Sequence, residues 1–161
     1  MLNKTGVPSI EQVLSCFPDE KVLLSPKAII ECYEEIPCNP CSTSCPFDAI
    51  YIGKDINTPP VVDFDKCTGC GVCVYNCPGL AIIVTEIKNE HTRFKIAYEF
   101  NPKPKANEIW HGVNREGEVI CDAFIERVAM TEKHDKTALV QVLVDSKYIY
   151  EFVTIRGKDY E

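Results

Sequence analysis

The second half of the chain alternates polar and apolar side chains over short stretches. The alternation is clearest over residues 92–100, and a period of two is that of a half-buried β-strand. Further strands are predicted at residues 109–113, 119–129, 138–144 and 148–155, with turn signals between them. Several short strands at this spacing predict a small all-β unit, either barrel-like or a compact antiparallel sheet.

The first half carries shorter signals. Ser9 and Gln12 form the pattern of a capping box, which predicts a helix over residues 10–16. Ser25 followed by Pro26 predicts a second helix start, because proline is tolerated at the first helical position.

The middle of the chain predicts two short hairpins. A helical turn is expected over residues 47–50, before a strand at residues 51–52, and residues 61–64 are expected to return as a strand. Residues 80–84 are expected to repeat the helical turn and the exit strand.

The chemistry is concentrated in a run of cysteines with the spacing C-x2-C-x2-C-x3-C-P. The run contains Cys67, Cys70, Cys73, Cys77 and Pro78. This spacing is typical of an iron–sulfur site in which three thiolates hold one [4Fe–4S] cluster and the fourth reaches a second cluster. The run therefore predicts a second motif elsewhere in the chain.

The second motif lies 32 residues earlier and lacks its first cysteine. When 32 is added to their residue numbers, Cys38, Cys41 and Cys45 correspond to Cys70, Cys73 and Cys77. The chain therefore contains an internal duplication, and such a two-fold relation is what the exchange of ligands between two clusters requires.

One ligand of the first site is less regular. The position equivalent to Cys67 holds Glu35, and the nearest cysteine is Cys32, three residues earlier. We expect a longer loop to carry Cys32 back to the same iron; the alternative is a three-iron cluster with Cys32 as a free thiol. The predicted ligands are Cys32, Cys38, Cys41 and Cys77 for cluster 1, and Cys67, Cys70, Cys73 and Cys45 for cluster 2.

Residues 32–84 resemble a bacterial-type ferredoxin that carries two [4Fe–4S] clusters. The segment 31–41, together with the C-terminal extension, is similar to small ferredoxin-like subunits. Those subunits accompany FAD-dependent amine or amino-acid dehydrogenases, of the proline and hydroxyproline type, in anaerobes. The resemblance implies an electron-transfer subunit with a FAD-containing dehydrogenase as its partner.

We therefore expect an α+β fold, in which a ferredoxin-like dicluster domain is followed by a small all-β domain. The predicted division is an N-terminal helical extension (1–30), a dicluster ferredoxin domain (31–88) and a β domain that docks the partner (89–161). The boundary near residue 88 rests on composition, since cysteine almost disappears there and β-forming residues become frequent.

Composition and charge limit the cellular location and the partners that we expect. Ten cysteines in 161 residues would suit a secreted disulfide-rich protein, but the start of the chain lacks the apolar core of a signal peptide. We therefore expect a cytoplasmic protein whose cysteines bind metal. No apolar run approaches the roughly 20 residues that cross a bilayer, and the net charge of −7 argues against a nucleic-acid partner.

These features favour electron transfer, in a subunit of a multi-subunit FAD-dependent oxidoreductase or, alternatively, in a free soluble ferredoxin shuttle. A zinc-binding interaction module is the alternative from another class, although zinc does not explain two cysteine runs that end in proline. We expect no catalytic site, because no nucleophile with a base and no dinucleotide fingerprint is present. We expect His91, His111 and His134 at the surface.

Overall fold

The computed structural model describes residues 2 and 4–159. Within them the helices are short: α1 (Ile10–Cys16), α2 (Pro40–Thr43) and α3 (Val72–Asn76). Single 3-10 turns lie at Val22–Leu24, Glu132–His134 and Ser146–Tyr148. The strands are β1 (Lys27–Ile30), β2 (Ile50–Tyr51), β3 (Val61–Val62), β4 (Ile82–Lys88), β5 (His91–Tyr98), β6 (Ile109–Val113), β7 (Val119–Ala129), β8 (Ala138–Asp145) and β9 (Thr154–Arg156).

One large antiparallel sheet dominates the fold. Its strand order is β1-β4-β5-β8-β7-β6-β9, and β2 pairs with β3 separately. The sequence-based boundary between residues 88 and 89 falls at the turn of the β4–β5 hairpin, so the sheet takes strands from both sides of that boundary. The division into three segments stays a prediction.

Most strands of the second half follow the sequence pattern. β6 and β7 have the predicted bounds, and β5 and β8 differ from them by one or two residues. The strand predicted over residues 148–155 is wrong. The chain makes a 3-10 turn there, the Phe152 N–H donates to the Tyr148 carbonyl (2.9 Å), and only the short β9 follows. This turn carries the Phe152 ring into the core, where it is fully buried.

The helix predictions have mixed outcomes. The helix at residues 10–16 is confirmed, with both hydrogen bonds of the capping box between Ser9 and Gln12. The helix predicted from Ser25 is wrong, because that segment forms β1. The β-branched Ile29 and Ile30 pair there with β4 and are buried, so a non-local partner outweighs a local capping signal.

Helical turns also lie elsewhere than predicted in the middle of the chain. The helical turn predicted over residues 47–50 is wrong. Those residues contain the end of a non-helical turn and the start of β2. The helical segments are α2 and α3, which lie inside the two cysteine runs. The first predicted hairpin corresponds to the β2–β3 pair. The exit strand predicted within residues 80–84 corresponds to the start of β4, whose partner is β1.

The two faces of β4 border different cores. Ile83 packs into the larger core, whose fully buried members include Phe94 and Phe152. Ile82 and Val84 face the opposite way and pack into a smaller core that contains cysteines. The cysteine-rich region therefore shares a strand with the sheet.

The duplication is visible in the strand pairing. Ile30 of β1 lies opposite Ile82 of β4, and Val62 of β3 lies opposite Ile50 of β2. Adding 32 to the numbers of Ile30 and Ile50 gives the positions of Val62 and Ile82. The two strand pairs are therefore equivalent halves of one two-fold arrangement.

A mostly buried ion pair joins the first cysteine segment to the rest of the sheet. The Arg115 guanidinium, in the β6–β7 turn, donates two hydrogen bonds to the Glu31 carboxylate. It also donates to the Tyr150 carbonyl at 2.7 Å. Because the side chains are only 10% and 14% exposed, loss of one partner leaves an uncompensated charge.

We expect Arg115→Ala to destabilise the protein, because the Glu31 carboxylate then stays buried without its cation. A cost of about 3 kcal/mol corresponds to a fall of about 6 to 12 °C in the thermal midpoint of a domain of this size. Anaerobic circular dichroism melts of the iron-loaded protein measure it.

Lys158→Ala is the matched control, because its ion pair with Asp122 is largely exposed and such pairs contribute little. Equal midpoints for the two variants would show that the buried pair is unimportant.

Candidate metal centres

Eight of the cysteines fall into two groups of four. The first group lines a cavity of about 220 Å³: Cys32, Cys38, Cys41 and Cys77. The second group lines a separate, smaller cavity: Cys45, Cys67, Cys70 and Cys73. Each group combines three cysteines from one segment with one from the other, which is the interleaving that the spacing predicts.

The first group is assembled from separate elements. Cys41 lies on α2, Cys77 follows α3 directly, and Cys32 follows the end of β1. Burial raises the pKa of the Cys32 and Cys41 thiols, and the nearby sulfurs of Cys77 and Cys38 raise it further. Cys32 therefore lies within electrostatic reach of Cys38 and Cys77, and it lines the same cavity as Cys41.

The second group is built around α3. Burial raises the pKa of the Cys73 thiol to about 12, and the sulfurs of Cys67, Cys70 and Cys45 add to the shift. Metal binding needs thiolates, so a group that binds here must supply positive charge to overcome burial and mutual repulsion. An iron–sulfur cluster held by four thiolates meets that requirement.

Backbone N–H groups point at three of the sulfurs. Ala28 donates to Cys67 (3.3 Å), Ala49 to Cys45 (3.3 Å) and Ala81 to Cys77 (3.4 Å). The last two are equivalents under the 32-residue shift. Their loops share a left-handed residue, Asp48 with φ of 48° and Leu80 with φ of 51°. Both halves therefore wrap the chain around a sulfur in the same way.

Gly69 is the tightest point of the second cysteine loop. Its φ is +67°, and a Cβ atom there would lie 2.5 Å from Pro26 Cβ and 2.6 Å from the Pro26 carbonyl oxygen. Because the obstruction includes backbone, no side-chain movement relieves it. Glycine is therefore required for the loop to approach β1.

The thiols do not converge on a single point. Among residues 2 and 4–159, no three His, Cys, Asp or Glu side chains come close enough together to hold one metal ion. The sulfurs instead surround the two cavities.

The remaining cysteines and histidines lie outside the two groups. Cys16 ends α1, and Cys121 lies in β7. His91 is exposed, as expected, whereas the surface placement of His134 is wrong. Its ring stacks on Tyr75 of α3 with a centroid distance of 4.0 Å, and the residue is only 8% exposed.

Two lysines contact the second cysteine loop, and sequence reasoning did not single them out. Lys27 Nζ donates to the carbonyls of Phe64 (2.6 Å) and Cys67 (2.8 Å). Lys95 Nζ donates to the Gly69 carbonyl (2.7 Å). Both contacts join residues at least 26 positions apart, so no local motif could reveal them.

Residues 36–81 match the family model of the 4Fe-4S dicluster domain. This segment of the chain is a 4Fe–4S dicluster domain. It therefore carries two [4Fe–4S] clusters, as the sequence predicts. The matched segment begins after Cys32, so the assignment of that ligand stays a prediction, as does the division of the eight ligands.

Several curated proteins are similar to part of the chain. The chain is 40% identical over 55 residues to the ferredoxin-type protein NapF of Haemophilus influenzae, covering 33% of this chain and 31% of that protein. It is 35% identical over 71 residues to a selenate reductase subunit of Mesobacillus selenatarsenatis, covering 44% of this chain and 22% of that protein. It is 40% identical over 65 residues to a sulfite dehydrogenase subunit of Allochromatium vinosum, covering 40% of this chain and 25% of that protein.

The similarity is confined to part of each protein, since the chain spans between 22% and 31% of the length of these three relatives. No solved structure matches the chain. Among the described helices, none has the length and apolar content that a membrane crossing needs.

We expect Gly69→Ala to abolish assembly of the second cluster, because the added Cβ collides with the Pro26 backbone. The iron content should fall from about eight atoms per chain, the total for two [4Fe–4S] clusters, to about half. Iron analysis after anaerobic purification measures this. Gly79→Ala is the control, since a Cβ at Gly79 meets nothing within 4 Å; equal loss in both variants would contradict the explanation.

We expect Cys32→Ser to lower the iron content and to alter the electron paramagnetic resonance spectrum of one cluster only, because one iron of the first cluster loses its thiolate. Cys16→Ser, outside the two groups, should leave the iron count at about eight. An equal count of about seven in the wild type and in Cys32→Ser, one iron fewer than two [4Fe–4S] clusters hold, would favour the alternative of a three-iron cluster with Cys32 as a free thiol.

Proposed function

We propose that this chain transfers electrons through two [4Fe–4S] clusters as a subunit of a multi-subunit, FAD-dependent oxidoreductase. The observation that carries the proposal is the interleaving of two four-cysteine groups around α2 and α3. Shared helices keep the two groups adjacent, so an electron has a short path between them.

The residues of the chain have separable roles in this proposal. The ligands are Cys32, Cys38, Cys41 and Cys77 for cluster 1, and Cys67, Cys70, Cys73 and Cys45 for cluster 2. Each bound cluster supplies a one-electron couple. The buried Ala49, Val74 and Ile82 belong to the same small core as the cysteines and exclude water from it. The N–H donors stabilise negative charge on sulfur. We assign no catalytic residue to the chain.

Three observations support a subunit rather than a free shuttle. The selenate reductase and sulfite dehydrogenase relatives are named as subunits. The large sheet extends well beyond the dicluster domain and offers a surface on which a partner can dock. The segment 31–41 is similar to ferredoxin-like subunits of amine and amino-acid dehydrogenases.

The similarity of the segment 31–41 to these subunits also supports a flavin-containing partner and an anaerobic source. A flavin removes electrons from an amine or amino acid in pairs, and two one-electron clusters accept them singly. We propose a FAD-containing dehydrogenase subunit as partner, in the cytoplasm of an anaerobe.

We expect the chain, tagged at its C-terminus and purified without oxygen from its source cells, to bring down a flavoprotein in equimolar amount. The purified chain should be coloured, with broad visible absorption that bleaches on reduction. Mass spectrometry and flavin analysis of the eluate measure the first outcome, and absorption spectroscopy measures the second.

A tag expressed alone in the same cells is the control for adventitious capture. Recovery of a coloured, monodisperse single chain would favour the free ferredoxin shuttle. A colourless protein with stoichiometric zinc would reject electron transfer altogether and support the interaction module.

A further inference from the structure

The duplication permits a residue-by-residue comparison of the two cluster environments. The ammonium groups of Lys27 and Lys95 donate hydrogen bonds to carbonyls of the second cysteine loop. One of the acceptors is the carbonyl of Cys67. Both lysines are partly buried, and their charge is therefore less screened than that of a surface lysine.

Among the residues that the structure describes, no equivalent of these contacts is seen in the first half. Under the 32-residue shift, Lys27 corresponds to Pro59 and Ala28 to Pro60. Proline has no charge and no N–H, so neither the ammonium nor the Ala28 N–H bond to Cys67 has a counterpart there. Pro59 and Pro60 line the first cavity instead.

Lys95 also lacks a counterpart, because it belongs to β5, outside the duplicated segment. The large sheet packs directly against α3, the helix of the second half. α3 packs against β4, β5 and β8, and a Cβ at Gly71 would lie 3.0 Å from Leu139 of β8. This asymmetric contact brings Lys95 to the second loop.

The charges beside the first site are of the opposite sign. Glu34 lines the first cavity, and Glu31 lies next to Cys32. Arg115 pairs with Glu31, and the backbone N–H of Leu2 donates to the Glu34 carboxylate at 2.7 Å. The acidic residues in the second loop, Asp63 and Asp65, are exposed and therefore strongly screened.

We propose that Lys27 and Lys95 give the cluster bound by Cys45, Cys67, Cys70 and Cys73 the higher reduction potential of the two. This inference rests on the proposed electron-transfer function. Reduction adds one electron and makes a cluster more negative, so nearby ammonium groups and N–H donors stabilise the reduced state. An electron on the first cluster then moves spontaneously to the second, which oxidises the first and reduces the second by one electron.

An anaerobic redox titration followed by electron paramagnetic resonance tests the proposal. The wild-type protein should show two unequal midpoints. In Lys27→Met and in Lys95→Met the higher midpoint should fall, with a roughly tenfold loss of reduced cluster at a fixed potential, or about 59 mV for a one-electron couple. The lower midpoint should stay in place.

Two further variants separate charge from structure. Lys66→Met removes the same charge from the same loop, but the Lys66 side chain is 58% exposed, so both midpoints should stay in place. Lys27→Arg keeps the charge and should hold the higher midpoint near its wild-type value. Iron analysis of each variant checks that both clusters are present. If Lys27→Met loses iron, the titration of Lys95→Met tests the proposal by itself.

The outcomes separate this inference from the function on which it rests. Two reducible clusters with equal midpoints, or a fall of the lower midpoint in the lysine variants, would overturn the inference and leave electron transfer standing. A protein without any reducible cluster would overturn both.

Discussion

The fold depends on the alternation of side chains along β4. Successive residues of this strand face opposite sides, so Ile83 packs into the large core while Ile82 and Val84 pack among the cysteines. Because the strand is paired on both sides, with β1 and with β5, neither core can shift without the other. The metal centres are thus part of the sheet structure and not an appendage to it.

This shared strand makes a symmetric duplication structurally asymmetric. In the part of the chain that the structure describes, five more strands extend the β1–β4 pair, whereas its equivalent, β2–β3, forms a two-stranded sheet. The exposed Tyr51 and Val61 of that second pair meet solvent, while the corresponding strands β1 and β4 are largely buried. The two four-cysteine groups therefore lie in surroundings with different burial, charge and hydrogen bonding.

Local signals determined what could be predicted from the sequence. The interleaved cysteine groups follow from ligand spacing, and β6 and β7 follow from side-chain alternation; both patterns are complete within a short stretch of chain. The failures involve distant partners. Pairing with β4 converts the segment after Ser25 into β1, stacking on Tyr75 buries His134, and the lysine contacts to the cysteine loop cross from other strands.

The two cores also differ in what stabilises them. The large core contains most of the fully buried bulky side chains, among them Phe94, Phe152 and Ile125, and burial of that apolar surface drives its folding. The small core consists mainly of small and β-branched residues and cysteines, so its stability depends on metal binding. Because β1 and β4 belong to the sheet, one strand pair of the metal-binding frame can form on the large core before metal binds. Only the β2–β3 half must then be ordered together with the clusters, which reduces the conformational entropy that metal binding has to overcome.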